Sequence, residues 1–268
     1  MQEHFISYKS SQIQYFIFGS GPKLFYCFHG YGENADSFSF LENIAGSDYT
    51  FIALNFPFHG NTLWNDGLNF ALQDLVDILK ETIAGKDFQA IGLLGYSMGG
   101  RVCLQLLELM PEKISNVILI APDGLRKNYW YFFSTQTFIG NKLFNYAMKH
   151  TGWLFASMKM FNKLGLLNTS IYKIAHYYLD EESERQLLYN RWTIMRKFKP
   201  AIPLIKKIIR ANKIQVKLLF GKYDKIIPAD NGKALQQGIE EYVMLNIAEA
   251  GHQLLREKHS ELIKSLLA

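Results

Sequence analysis

Short apolar runs bounded by turn residues alternate along this chain with stretches whose apolar positions recur every three to four residues. Residues 24–28, 50–55, 90–95 and 117–121 are runs of the first kind, the pattern of strands buried on both faces. Residues 13–18 are rich in β-formers and end in the turn cluster Gly19-Ser20-Gly21-Pro22,. Helical spacing appears over 35–45, over 70–83 through Leu72, Leu75, Val76 and Leu79, and over 99–110,. The rhythm returns near the end with a strand at 216–220, a helix at 229–237, a strand at 243–247 and a closing helix at 254–267. The first eleven residues are polar and mixed. Such alternation predicts an α/β fold, a mostly parallel, doubly wound sheet of about eight strands with helices on both faces.

Between residues 125 and 200 the rhythm breaks. No buried strand appears; the segment is helix-like and aromatic, with Tyr129, Trp130, Phe133, Phe138, Trp153, Tyr177, Tyr178 and Trp192 among its rings. It predicts a helical cap inserted after the sixth strand. The organisation is a first core part over 1–124, the cap over 125–200 and a second core part over 201–268.

Composition adds limits. Hydrophobic residues make up 49% and charged residues 20% of the 268, as in a globular protein with a full core. The net charge is +5. Residues 125–200 hold twelve Lys and Arg against four Asp and Glu, a local +8, which leaves the rest of the chain at −3. Cys27 and Cys103 sit in apolar runs and read as buried thiols of a reducing compartment,. No Cys/His cluster has metal-ligand spacing, so no structural zinc is expected. A basic start with an apolar core behind it is missing at the N-terminus, and no apolar run approaches the roughly 20 residues of a membrane span. Cytoplasmic residence is therefore the default expectation. Basic, aromatic segments can bind nucleic acid, but aromatics at helical spacing are usually core and lysines the solvated face, so no nucleic acid is expected. Weak contact with an anionic lipid surface, or an anionic substrate, fits the cap better.

The strongest chemical signal is Gly95-Tyr96-Ser97-Met98-Gly99-Gly100, set between an apolar strand and a helix. A sharp strand-to-helix turn of this kind lifts the serine above the sheet, and the flanking glycines remove the clash that bulkier residues would cause. Ser97 is the candidate nucleophile. A serine needs a base, and His252 follows the last strand; the other histidines lack a strand-end setting or stand at the wrong one. Asp224 ends the preceding strand and would orient His252, with Asp123 as the rival acid. Ser, Asp, His is the chain order of this architecture. The turn His29-Gly30-Tyr31-Gly32 follows the residue 24–28 strand. Its glycines would let the backbone approach a substrate, with His29 and Gly30 at the binding site and the N–H groups of Tyr31 and Met98 forming an oxyanion hole.

Taken in order, Phe28-His29-Gly30-Tyr31-Gly32, Asn55-Phe56-Pro57-Phe58-His59-Gly60, the Ser97 motif, Gly221-Lys222-Tyr223-Asp224-Lys225-Ile226-Ile227-Pro228 and Gly251-His252 resemble the α/β-hydrolase superfamily. They look like its serine-nucleophile esterase, peroxidase-like and C–C hydrolase branch, over residues 24–122 and 214–267. In one departure, the family's usual aspartate after the fourth strand is Asn55 here, read as turn structure. Ser97 excludes the aspartate-nucleophile dehalogenases and epoxide hydrolases. The resemblance implies hydrolysis of an ester or thioester of a small, largely apolar acyl substrate through an acyl-enzyme on Ser97, carboxylesterase-like and without cofactor. A second reading is a C–C hydrolase, or a lyase like the menaquinone-pathway synthase, in which Arg101 would anchor a substrate carboxylate. A third is a receptor-like binder with slow turnover. The cap would supply pocket walls, with Trp130, Phe133 and Trp153 as candidates, in a monomer or homodimer.

Overall fold

The computed structural model describes residues 1–83, 90–163, 179 and 181–267. They form two compact units, one from Met1–Arg126 with Lys197–Ala268 and the other from Lys127–Arg196.

The first unit is built on eight strands: β1 Gln2–Tyr8, β2 Ser11–Phe18, β3 Lys23–Phe28, β4 Tyr49–Leu54, β5 Ile91–Tyr96, β6 Ile114–Ile120, β7 Gln215–Gly221 and β8 Val243–Ala248. Their order is β1-β2-β4-β3-β5-β6-β7-β8. The β1–β2 and β2–β4 pairs are antiparallel; all pairs from β4 through β3 to β8 are parallel. This is the mostly parallel sheet that the sequence predicts.

Strands buried on both faces need both faces covered, and alternate residues of β3 show how. Phe25 and Cys27 join a core layer with Leu41, Ile263 and Leu266, which belong to helices α1 Leu41–Ala45 and α10 Ser260–Leu267. Tyr26 points the other way, and its hydroxyl donates to the carbonyl of Leu79 at 2.6 Å, in helix α2 Leu72–Thr82. Helix α3 Met98–Leu109 packs on β5 and on α8 Ile202–Asn212. Helix α9 Asp230–Gln236 lies against β8. Each fully buried Phe of this core, such as Phe28 or Phe51, contributes roughly 1.5–3 kcal/mol. Cys27 and Cys103 are free and wholly buried, and burial pushes both thiols well above their usual range.

The second unit holds α4 Tyr129–Gln136, α5 Phe138–Lys149, α6 Gly152–Lys163 and α7 Glu182–Ile194. Asn128 caps α4 by accepting from the Tyr131 N–H at 3.0 Å, and Thr137 caps α5 by accepting from Gly140 at 3.0 Å,. Tyr131 packs on Trp192, and Phe144 packs on both Tyr189 and Trp192. His176, Tyr177 and Tyr178 lie outside the described residues.

Four expectations change. The polar start of the chain is strand β1, an edge strand with one neighbour, whose residues stay half-buried or exposed and so show no strand pattern,. The helix expected over 35–45 divides into a 3₁₀ turn, Ala35–Phe38, and the short α1. Ser37 donates to the Asn34 carbonyl at 2.6 Å there, a local bond that competes with helix. The closing helix begins at Ser260 rather than 254, because Leu254 and Arg256 donate to carbonyls two residues back. Helix α8 falls in a stretch, 201–215, to which sequence patterning assigned nothing, although Ile205 and Ile209 face the core.

Candidate active site

Strand β5 ends at Tyr96 and α3 begins at Met98, so Ser97 alone makes the turn. It does so at φ +50°, a left-handed conformation that costs a non-glycine residue about 1–3 kcal/mol. The surroundings hold it there. Its N–H donates to Ile120 at 2.9 Å, and its carbonyl accepts from Gly100 at 2.9 Å and Asp123 at 2.8 Å. The two glycines of the motif are steric requirements. A Cβ on Gly95 would lie 2.6 Å from Cys103 Sγ, and one on Gly99 would fall on the Phe28 carbonyl.

The structure brings Ser97, His252 and Asp224 together. His252 Nε2 lies 3.1 Å from Ser97 Oγ, and His252 Nδ1 lies 2.7 Å from Asp224 Oδ2. Asp224 has no exposed side-chain surface, and His252 is 16% exposed. The second carboxylate oxygen, Oδ1, accepts from the N–H groups of Ile226 and Ile227 at 2.8 and 2.9 Å. An acceptor-only carboxylate makes Nδ1 the protonated nitrogen, which leaves the Nε2 lone pair facing the serine hydroxyl. Tyr96 supports the histidine from below: its ring stands 5.5 Å from the imidazole and its hydroxyl donates to the His252 carbonyl at 3.2 Å. Burial, then the nearby Glu33 carboxylate, push the Tyr96 phenol up to about 12, so it remains a donor at neutral pH.

The turn after β3 approaches the same point. A Cβ on Gly30 would sit 3.2 Å from Ser97 Cβ and 3.1 Å from the Tyr96 ring, so the Gly30 backbone passes directly beside the serine. Tyr31 follows it and meets His59 edge-on, with ring centroids 6.3 Å apart. Met98 is the first residue of α3, where the N–H has no partner within the helix.

Two residues expected at the substrate have partners inside the protein. His29 is fully buried; its Nε2 accepts from the Phe56 N–H at 3.2 Å and its Nδ1 lies 2.8 Å from the Gly30 carbonyl. These contacts brace the turn from inside. Arg101, weighed as a surface residue or a carboxylate anchor, is nearly buried: its side chain is 7% exposed and paired with Asp123. Asp123 in turn accepts from the Gly124 N–H at 2.7 Å and does not reach the histidine that Asp224 holds. Trp130 and Phe133 are 81% and 43% exposed on α4, and the Trp153 side chain lies outside the described residues.

Sequence reasoning passed over His59 and Arg256 as supporting residues, and read Asn55 as turn structure. His59 accepts from the Gly32 N–H at 3.4 Å through Nε2, so a histidine set aside as a base stabilises the turn next to Tyr31. Asn55 accepts from Ala35 at 2.7 Å and donates to buried Gln14 at 2.5 Å, consistent with a turn role. Arg256 reaches Glu33 at 2.8 and 3.2 Å and ties the segment after His252 to the turn after β3. An arginine four residues past the histidine was the only available signal. Among the described residues no group of three His, Cys, Asp or Glu could hold a metal ion, and no helix is long and apolar enough to cross a membrane.

Comparison with known proteins agrees with this architecture. A hydrolase from Bacillus subtilis, YugF, itself uncharacterised, is 24% identical over 257 residues, covering 92% of this chain and 89% of that protein. A serine hydrolase-like protein of Danio rerio is 30% identical over 99 residues, but these span 37% of this chain and only 30% of the relative. Among solved structures, a thermophilic esterase from Thermogutta terrifontis superposes with a TM-score of 0.69 at 14% identity, over 100% of this chain and 98% of the esterase; at that identity the likeness is one of fold. Residues 23–258, which run from the first parallel strand past His252, match the alpha/beta hydrolase fold family, and the chain belongs to that family.

Proposed function

We propose that this protein is a serine hydrolase that cleaves a carboxylic ester or thioester of a small, largely apolar acyl group, with Ser97 as nucleophile, His252 as base and Asp224 as its orienting acid. The observation that carries the reading is the continuous hydrogen-bonded chain from Ser97 Oγ through both nitrogens of His252 to a buried carboxylate. That arrangement matches the recurring serine–histidine–acid relay.

In this scheme Ser97 Oγ attacks the substrate carbonyl carbon while its proton moves to His252 Nε2. The tetrahedral oxyanion collapses, the carbon–oxygen or carbon–sulfur bond breaks, and the leaving group takes the proton from His252. Water then attacks the acyl-serine, gives its proton to the same nitrogen, and releases the acid as Ser97 is reprotonated. Asp224 remains ionised and steadies the imidazolium. The N–H groups of Tyr31 and Met98 would receive the oxyanion. The closeness of the Gly30 backbone to Ser97 supports this assignment, and one such donor typically lowers the barrier by about 2.7–4 kcal/mol. No cofactor enters the scheme. The buried Arg101–Asp123 pair favours hydrolysis over the lyase reading, which needs Arg101 for substrate.

The test is turnover of p-nitrophenyl esters and acyl thioesters of graded chain length, beside a panel of C–C hydrolase substrates. Ester or thioester turnover that a fluorophosphonate abolishes by labelling Ser97 is expected. Labelling without turnover of any ester or thioester would leave the receptor-like reading standing instead.

A further inference from the structure

Helices α4 and α5 expose large apolar side chains to water. A helix beside water normally sets its polar residues outward. On α5 the outward residues recur at helical spacing, and Phe138, Ile139, Leu143 and Tyr146 are exposed, the first two at 74% and 68%. On the inward side Met148 is buried and Phe144 packs on Tyr189 and Trp192, with polar groups beside them. Asn141 donates to Ser134 at 3.0 Å and to the wholly buried Thr193 at 3.2 Å, and it accepts from the Tyr189 hydroxyl at 2.9 Å. On α4, Tyr129, Trp130, Phe132 and Phe133 are exposed while Thr135 is buried, donating to Tyr131 at 2.6 Å.

Helices α4 and α5 themselves carry no acidic residue. Residues 124–179 contain no Asp or Glu and seven Lys and Arg. Lys142 lies within the exposed row of α5, its ammonium 4.3 Å from the centre of the Phe138 ring, and Lys149 is exposed near the helix end. An apolar face with aromatic rings and interleaved lysines, free of acid, is complementary to an anionic bilayer. Rings and aliphatic groups enter the headgroup region while the long lysine stems carry their charge back to the lipid phosphates. A second copy of this face would match apolar area but would set like charges against each other.

We propose that the exposed face of α4 and α5 docks on an anionic lipid bilayer. The inference stands apart from the catalytic reading, because docking is measured without turnover. The experiment uses the intact protein with unilamellar vesicles of phosphatidylcholine, alone or with about one third phosphatidylglycerol. Flotation should recover the protein with the anionic vesicles about ten-fold or more better than with neutral ones, and high salt should weaken that recovery. Trp130 emission should move to shorter wavelength on binding, a shift that Trp130→Phe removes. The double change Ile139→Glu and Leu143→Glu, at exposed positions, should keep the thermal midpoint and lose about ten-fold in partitioning. Lys142→Glu with Lys149→Glu should remove the preference for anionic lipid. Equal recovery with both vesicle types, or wild-type partitioning by the Ile139/Leu143 variant, would overturn the proposal. So would a wild-type dimer that ignores vesicles and falls apart in that variant, which would assign the face to a second copy.

Discussion

The backbone N–H of Asp123 donates to the carbonyl of Ser97 at 2.8 Å, so the loop after β6 is fastened to the strained turn that carries the proposed nucleophile. Arg101, one turn into α3, pairs with the Asp123 side chain and completes the fastening. Arg101→Ala should therefore lower stability by roughly 1.5–3 kcal/mol, since it removes a charged hydrogen bond from a nearly buried site. Arg101→Lys should recover part of the loss, lacking the planar fork. Denaturant unfolding measures both. An Arg101→Ala protein of unchanged stability, with a ten-fold higher KM confined to anionic substrates, would return this residue to the role of substrate anchor.

Substitution at Ser97 separates chemistry from strain. Ser97→Ala should lose several orders of magnitude in ester turnover with its fold intact. Ser97→Gly should be equally inactive yet more stable than the alanine variant by about 1 kcal/mol, because glycine occupies φ +50° without steric cost. Paired thermal melts of the two inactive proteins provide the comparison. Identical midpoints would mean that the turn stores no strain at this residue.

Asp224→Asn should reduce kcat by a large factor, up to roughly 10⁴, since an amide can hold the wrong imidazole tautomer towards Ser97. Asp123→Asn should act chiefly on stability. Steady-state kinetics with one ester on both variants would reverse the assignment if Asp123→Asn proved the slower enzyme.

Acid stability should depend on Asp74. Burial alone would raise its carboxyl, but Lys9, the Ala71 N–H and the Tyr8 hydroxyl together hold it below the ordinary value; their contacts are 2.6, 2.7 and 2.8 Å. A depressed carboxylate stabilises the fold above its unfolded pKa of about 4, and the contribution fades as pH falls from there through the lower folded value. Asp74→Asn should thus be less stable at pH 7 by about 1–3 kcal/mol, and the gap to wild type should narrow below pH 4. Urea midpoints across that range test it, and a gap independent of pH would contradict the mechanism.

What could be read from sequence divides along physical lines. Strands buried on both faces announce themselves through apolar runs, so β3 to β7 were visible, as was the Gly95–Gly99 spacing that a strand-to-helix turn demands. Edge position is not written in side-chain pattern, and β1 went unseen because backbone pairing with β2 holds it. His252 and Asp224 could be placed because each follows a strand at the same sheet edge. The settings of His29 and Arg101 depend on neighbours distant in sequence, Phe56 for one and Asp123 for the other. Nothing within a few residues of either distinguishes a brace from a ligand contact.

The split of the first unit into Met1–Arg126 and Lys197–Ala268 has a consequence for how the protein is made. Strand β6 ends at Ile120, and its partner β7 does not begin until Gln215. During synthesis, Val117 to Ile120, all buried in the finished sheet, wait as an unpaired apolar edge while more than a third of the chain is still to emerge. Such an edge is open to strand addition from another nascent chain. Asp224 and His252 arrive on this late segment, so Ser97 acquires its partners only when the edge is sealed. Ribosome-bound or truncated chains ending before residue 215 should be aggregation-prone and catalytically silent, and the first catalytic turnover would mark completion of the sheet.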